Sequence, residues 1–330
     1  MITGIAGFGG SHLADYLLTL DGMEIVGVGL PTDRLDNVEH ILPQICVQRL
    51  DLGVYADVVA LLREVRPDHI YHLAAQASVP RAWADPEATL CNNIVAQLNV
   101  LRACVEMDLK ARILVVGSAD EYGLIPEEEM RENSGIGEDA PLRPANPYAV
   151  SKIAQDYLGL QYHLSHDLHI VRVRPFNHIG PRQGLGFVVP DFCQQIAAIE
   201  AGEREPIMRV GNLEARRDIS DVRDVVRGYH LALTRGKAGQ VYNIGSGQAH
   251  AIRDILDRLL DMSRVAINVE PDPERMRPSD VPIMVCDNQR FVNDTGWQPT
   301  IALETSLRDA LDDWRSRVTV NVRRDERLCD

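Results

Sequence analysis

Apolar positions along this chain alternate between two rhythms, short continuous runs and helical stripes. Met1-Ile2-Thr3 opens on an apolar run, and Leu13, Leu17 and Leu18 with Asp15 among them predict a helix. Met23–Leu30 predicts a buried second strand, Ile45–Leu50 a third strand ending in Asp51-Leu52, and Val54–Val65 a helix between the third and the next. Pro67–Gln76 predicts a fourth strand ending in small residues, and Asn92–Met107 a helix with Ile94, Leu98, Leu101 and Val105 on one face. Arg112–Gly117 predicts a fifth strand. The polar, Pro- and Gly-rich stretch Leu124–Pro147 then breaks the pattern, and its Glu127–Glu129 run predicts a solvated face. Asn146-Pro147 marks a helix start, Asn as the cap and Pro at the first helical position. His169–Pro175 predicts a sixth strand, Phe176–Arg217 is less regular, Asp221–Thr234 predicts a helix and Val241–Ile244 a short strand. The residues beyond Ile244 predict a small mixed cap, and the tail after Arg317 loses periodicity and is expected to be loose. No internal repeat is present. Strand–helix alternation of this kind implies an α/β fold, a doubly wound parallel sheet with right-handed crossovers. The expected division is a large unit of residues 1–175 and 219–245, and a smaller, discontinuous C-terminal one of residues 176–218 and 246–330.

Between the first apolar run and the first helix lie Gly4, Gly7 and Gly10, a Gly-x-x-Gly-x-x-Gly spacing. Strand, glycine turn and helix together make the phosphate-binding corner of a Rossmann-type dinucleotide fold. Gly4 permits the turn, Gly7 lets the backbone approach a pyrophosphate and Gly10 lets helix pack on strand. The first-turn amides then face the phosphates. Three glycines alone also fit a flexible loop; their place at the head of an alternating chain favours the corner. Only three residues precede Gly4, fewer than a buried strand usually has, so the first strand is expected either to be truncated or to begin upstream of Met1. At the end of the second strand, where an acid would grip the ribose of NAD, stand Leu30 and Pro31, with Asp33, Arg34 and Asp36 beyond. Arg34 could meet a 2′-phosphate, which leans the cofactor towards NADP over NAD, or be a solvated loop residue.

The chain has 330 residues, 45% hydrophobic and 25% charged, an ordinary globular composition with room for one large and one small unit. With 34 basic against 48 acidic residues its net charge is -14, which disfavours nucleic acid as a partner and requires a local cluster of cations for any anionic ligand. Its six cysteines (46, 91, 104, 193, 286 and 329) show no Cys-x-x-Cys pair and no metal-like spacing with histidine, so they read as reduced thiols in a cytoplasmic protein without a metal site. No signal peptide or membrane-spanning run is present.

Only three of the basic residues are lysines, at 110, 152 and 237, and Lys152 lies four residues after Tyr148 on a predicted helix, so the two share a face. A free tyrosine titrates near pH 10, and an adjacent ammonium is expected to lower that value towards useful proton transfer. Ser118 ends the strand before this helix, at the crevice where such folds bind ligands. Ser118, Tyr148 and Lys152 therefore make a proton-transfer set beside a nicotinamide. By spacing alone the Tyr–Lys pair could be a surface contact; the rarity of lysine argues for function.

Thr3–Gly10, His72–Ala75, Asn92–Leu101, Ser118–Gly123 and Tyr148–Lys152 together resemble the extended short-chain dehydrogenase/reductase family over nearly the whole chain. Arg174–Pro181, Val210–Asp218 and Arg277–Val281 resemble its branch acting on GDP-mannose derivatives; Ser78–Trp83 and Phe187–Phe192 look most like the 4-keto-6-deoxy-mannose reductases within it. The resemblance implies Tyr148 as proton donor, Lys152 on the nicotinamide ribose and Ser118 orienting the keto oxygen. It implies cofactor contacts from Gly4, Gly7, Phe8, Gly10, Arg34, Asp51, Leu52, Leu73, Ala74, Ala75, Tyr148 and Lys152. Asn177, Arg182, Val189, Arg209, Arg217 and Arg277 would meet the GDP-sugar, and Arg suits bidentate phosphate binding. Arg216 and Arg275 crowd the same segments and could equally be solvated. A homodimer through the Asn92 and Tyr148 helices is implied as well. The chain departs from the family at Asp120, where related dehydratases carry Glu, and at Leu30, where a basic residue is usual. The implied reaction is reduction at carbon 4 of a GDP-4-keto-6-deoxy-hexose. The alternatives are a GDP-mannose 4,6-dehydratase, another nucleotide-sugar epimerase, or a dinucleotide-binding regulator without chemistry; the intact Ser–Tyr–Lys set argues against the last.

Overall fold

The structure, a computed structural model, describes residues 1–125, 135–275 and 281–326, with side chains in the last helix as far as Thr319. Glu127–Glu129, Arg277 and Cys329 lie outside the described residues.

The chain opens with β1 (Ile2–Thr3), α1 (Phe8–Leu18), β2 (Val26–Gly29), β3 (Cys46–Arg49), α2 (Tyr55–Val65) and β4 (His69–His72). It continues with α3 (Val79–Ala84), α4 (Pro86–Glu106), β5 (Arg112–Val116), α5 (Pro147–His166) and β6 (His169–Pro175). These strands, joined by β10 (Val241–Ile244), form a seven-stranded sheet in the order β10-β6-β5-β4-β1-β2-β3. Every pairing in it is parallel. Order reverses at β1, with β2 on one side and β4 on the other, and Ile2 lies opposite both Gly27 and Tyr71. Strands in such a sheet need crossovers, and helices on both faces supply them. On one face Leu13 and Leu17 of α1 pack with Val225, Tyr229 and Trp297; on the other Leu61, Val100 and Leu101 of α2 and α4 pack with Ile113 and Ile170.

Two helix starts are fixed by local chemistry. The Asn146 carboxamide accepts from Ala149 N–H at 2.8 Å ahead of Pro147, as the sequence predicts. Asp85 does the same for Ala88 at 2.9 Å ahead of Pro86, which starts α4 six residues before the expected Asn92.

The region 176–217 is more regular than its sequence suggested: β7 (Asn177–Ile179), α6 (Val188–Glu200), β8 (Ile207–Val210) and the start of β9 (Arg216–Asp221) occupy it. After α7 (Val222–Arg235) and β10 come β11 (Ala249–Ala251), α8 (Ile252–Asp261), β12 (Asn268–Pro271), β13 (Ile283–Met284), α9 (Gln289–Thr295) and α10 (Leu303–Glu326). β9 is central to a second sheet, flanked by β11, β13 and β7, while β8 pairs with β12. Phe192, Ile196, Ile255, Leu259, Leu307 and Leu311 give these elements their own core. The expectation of a loose tail after Arg317 is corrected. α10 continues to Glu326: Leu307, Ala310 and Leu311 anchor it in the core and Val318 is buried one residue past the point where the pattern fades. Among the described residues no helix is long and apolar enough to cross a membrane.

Candidate active site

The glycine corner has the form its spacing implies. Gly4 sits at φ +72°, in the left-handed region, and a Cβ there would come within 3.0 Å of the Ala74 backbone. A Cβ on Gly10 would strike the Gly4 carbonyl. No side chain among the described residues caps α1 at Gly7, so its first-turn amides are left for an anion. These features fit a dinucleotide pyrophosphate. Leu73, Ala74 and Ala75 follow β4 against this turn, and Ala74 N–H donates to Thr3 Oγ1 at 3.1 Å. Phe8 stacks on His178 with ring centroids 5.7 Å apart.

Around the far end of the cofactor corner, Asp51 accepts from Gly53 N–H at 2.8 Å, and Asn99 holds the carbonyls of Leu52 and Gly53 at 2.8 and 2.9 Å. Arg34 is exposed and pairs with Asp36 at 2.7 Å. Sequence reading missed Asp33. Its carboxylate folds back to accept Leu30 N–H at 2.8 Å beside Gly29, and so places an acid at the end of β2 from three residues further on. Arg49 flanks the same loop, donating to the carbonyls of Pro31 and Asp33 at 2.9 and 3.1 Å.

The fifth strand delivers Ser118 and the fifth helix delivers Tyr148 and Lys152, and the structure brings the three together. The Ser118 hydroxyl acts on the Tyr148 phenol and draws its pKa down, the only influence among the described residues that does. Ser118 Oγ also accepts from Asp120 N–H at 3.2 Å, so its single proton points to the Tyr148 oxygen and would turn to a substrate oxygen placed between the two groups. Lys152 is buried, with Nζ donating to the Val116 carbonyl at 2.8 Å and lying 5.9 Å from the Tyr148 ring centre.

The expectation that Lys152 lowers the Tyr148 pKa is corrected: burial pushes the phenol up, the Asp120 and Glu121 charges push it further, and the Ser118 hydrogen bond only opposes them. Burial acts the other way on Lys152, drawing it down to about 8 against the pull of Glu121. The tyrosine is therefore held as an intact acid at neutral pH, and the ammonium is anchored on the Val116 carbonyl, below the ring.

The substrate candidates separate. Asn177 is exposed on β7, Arg209 is exposed on β8, and Arg217 lies on β9 with Nη1 on the Arg216 carbonyl at 3.0 Å. Val189 is in the cap core at 1% exposure, so only its backbone could meet a ligand. Arg182 is corrected outright. Its guanidinium holds Asp15 at 2.6 Å, His12 Nδ1 at 2.7 Å and the Asn37 carbonyl at 2.9 Å, and its own N–H donates to Asp313 at 2.8 Å. It is a tie between α1, the loop after β2 and α10, at φ +70°. His12 completes this tie by donating from Nε2 to the Pro181 carbonyl at 2.9 Å.

With this geometry in place, the comparisons with known proteins agree with it. Residues 1–310 match the family model described as GDP-mannose 4,6 dehydratase. The chain is 36% identical to GDP-6-deoxy-D-mannose reductase of Pseudomonas aeruginosa over 96% of this chain and 97% of that one. It is 26% identical to GDP-mannose 4,6-dehydratase of Yersinia enterocolitica, over 92% and 90%. The solved structure of RMD from Pseudomonas aeruginosa complexed with NADPH superposes with a TM-score of 0.82 at 34% identity, covering 96% of this chain and 98% of that one. A parallel seven-stranded sheet, a glycine corner, a Ser–Tyr–Lys set and a family match over most of the length converge: the chain belongs to the GDP-mannose 4,6-dehydratase family of extended short-chain dehydrogenase/reductases.

Proposed function

We propose that this protein reduces the 4-keto group of a GDP-4-keto-6-deoxy-hexose to a GDP-D-rhamnose-type product. As a member of its family the chain is an NAD(P)-dependent enzyme; the exposed Arg34 supports the weak lean to NADP, while the acid that Asp33 places at the end of β2 supports NAD. The reading is carried by the neighbourhood of Ser118, Tyr148 and Lys152: the Ser118 hydroxyl acts on the un-ionised Tyr148 phenol and Lys152 lies behind its ring, so a keto oxygen entering between the two hydroxyls would accept from both. A ketone accepting hydride becomes an alkoxide, and such a pair supplies what that oxygen needs. The bound nicotinamide supplies the hydride. Ser118 orients the keto oxygen, Tyr148 protonates it, and Lys152 holds positive charge behind the phenol. The 1–175 and 219–245 unit would bind the cofactor; the 176–218 and 246–330 unit would bind the GDP-sugar through Asn177, Arg209, Arg217 and Arg277. The greater identity to the reductase than to the dehydratase supports the same choice.

The 4,6-dehydratase is the second reading, favoured by the name of the matching family model and by Asp120, whose charge acts on Tyr148. A dehydratase must remove a proton from carbon 5 and protonate the hydroxyl leaving carbon 6. Asp120 is one methylene shorter than the Glu of related dehydratases, a displacement of about 1 Å of the kind that can cost roughly 10²-fold. The deciding experiment gives the purified protein each sugar. With GDP-4-keto-6-deoxymannose it should oxidise one NAD(P)H per sugar; with GDP-mannose it should make no keto sugar. Conversion of GDP-mannose without added cofactor, abolished by Asp120→Asn, would replace the reductase with the dehydratase.

The exposed apolar residues Val95 on α4 and Val150, Tyr157 and Leu164 on α5 support a homodimer through these two helices. The five described cysteines are all unpaired, in keeping with the cytoplasm.

A further inference from the structure

Behind the reacting groups lies a buried ionic chain that the proposed reaction does not itself use. Glu121, with no exposed surface, accepts Ser118 N–H on Oε1 at 2.8 Å, while its Oε2 lies 3.0 Å from Arg174 Nε. Arg174, on β6, also donates to Asp156 Oδ2 from Nε at 2.8 Å and from Nη2 at 2.5 Å. Its remaining Nη1 reaches the Tyr122 hydroxyl at 3.1 Å and the Glu138 carbonyl at 3.2 Å. Asp156 stands one helical turn after Lys152 on α5 and is gripped on its other oxygen by Arg172. Glu121, Arg174 and Asp156 thus run as one connected chain from the turn that carries Ser118 to the helix that carries Tyr148 and Lys152. Gly117 belongs to the same device, since a Cβ there would land on the Glu121 carboxylate. Buried ion pairs are poor stabilisers compared with apolar packing of the same volume. A cluster of this kind set against the three reacting groups is better explained by what it fixes than by what it stabilises.

We propose that Glu121 is a positioning residue, which through Arg174 and Asp156 sets the separation of the Ser118 turn from the Tyr148–Lys152 helix. The inference rests on the ketoreductase reading for its chemistry, but its geometry belongs to the chain alone. Burial and the Asp156 carboxylate hold the Glu121 carboxyl well above its ordinary range, so Glu121→Gln keeps an acceptor for Ser118 N–H and loses the acid proton that Glu121 can share with Asp156 beside Arg174. A misplacement of about 1 Å at a reacting group can cost roughly 10²-fold, so kcat should fall about tenfold to a hundredfold while KM for both ligands stays within threefold. Because the effect passes through Ser118, the double variant Ser118→Ala/Glu121→Gln should be no slower than Ser118→Ala alone; a merely structural residue would give losses that multiply. Losses that multiply, or a Glu121→Gln kcat within threefold of wild type, would overturn the proposal. Should Glu121→Gln fail to fold by circular dichroism, Gly117→Ala displaces the same carboxyl group without removing its proton. It should slow turnover in the same non-multiplying way, and an unchanged kcat there would overturn the proposal instead. Wild-type turnover is recorded first: absence of keto-sugar reduction refutes the reaction, and the cycle is then run on whatever turnover of the family's sugars the protein shows.

Discussion

Tyr148 and Lys152 stand one helical turn apart, and burial moves them in opposite senses, the acid becoming weaker and the base more easily discharged. Tyr148→Phe removes the proton and leaves the ring, so it should bind cofactor normally and lose about 10²–10⁴-fold in turnover; a variant within twofold of wild type in a steady-state assay would refute the donor role. Lys152 keeps its charge only below its folded value of about 8, so kcat should fall as pH rises through that value, well before a normal lysine would titrate. A pH profile flat to 9.5 would show that the ammonium is dispensable. The residue types were legible in the sequence because the pair is local, four positions on one helix. The direction of the tyrosine's shift was not, because it depends on burial and on Asp120 and Glu121, which the turn after β5 contributes.

Among the elements, α1 and α10 meet through Arg182, and the arginines of the cap part into two kinds. Arg182→Ala breaks contacts to Asp15, His12 and the Asn37 carbonyl. Losing such charge-assisted bonds typically costs about 1–3 kcal/mol, a drop of several degrees in melting temperature with GDP affinity unchanged. Arg217→Ala should do the reverse, leaving the melting temperature nearly alone and weakening GDP binding about tenfold or more in calorimetry. Exchanged outcomes would return Arg182 to the nucleotide site and move Arg217 out of it. The sequence carries no sign of this division. Both residues sit in arginine-rich segments, and only the contacts of Arg182 with residues 167 to 170 positions away distinguish it. Asp33 was hidden for a nearer reason, a turn that returns its carboxylate to the end of β2. The glycine corner, the helix start at Asn146 and the strand–helix alternation were readable, since each depends on neighbours in the chain. The helix at Val188–Glu200 was not, because its stripe is completed by separate elements, β8 just beyond it, α8 some sixty residues on and α10 more than a hundred residues on.

For the molecule as a whole, two histidines couple stability to acidity. Burial draws His12 down to about 4 and His72 to about 3, each folded neutral where the unfolded chain would protonate near 6.5. A base whose folded value is depressed contributes stability that is complete above its unfolded value and is lost as pH falls below it. Between pH 7.5 and 5 the two should together cost about 4 kcal/mol, read as a falling melting temperature. His72→Gln should flatten that fall by about half, and an unaltered slope would assign it to other groups. On the outside, Tyr157 and Leu164 are 53% and 73% exposed along α5, an expense of apolar surface that a partner helix would cover. Leu164→Glu should shift the protein from dimer to monomer in light scattering, and a wild type that is already monomeric would remove the interface. The order of the large sheet has one more consequence, in time. β10 closes the edge beside β6, yet the 65 residues from 176 to 240 lie between them. A ribosome adding about 5–20 residues per second leaves the apolar edge of β6 uncovered for roughly 3 to 13 s after it emerges. During that interval the growing chain offers an open strand to any neighbour, so the birth of this fold is most vulnerable at the strand that holds Arg172 and Arg174.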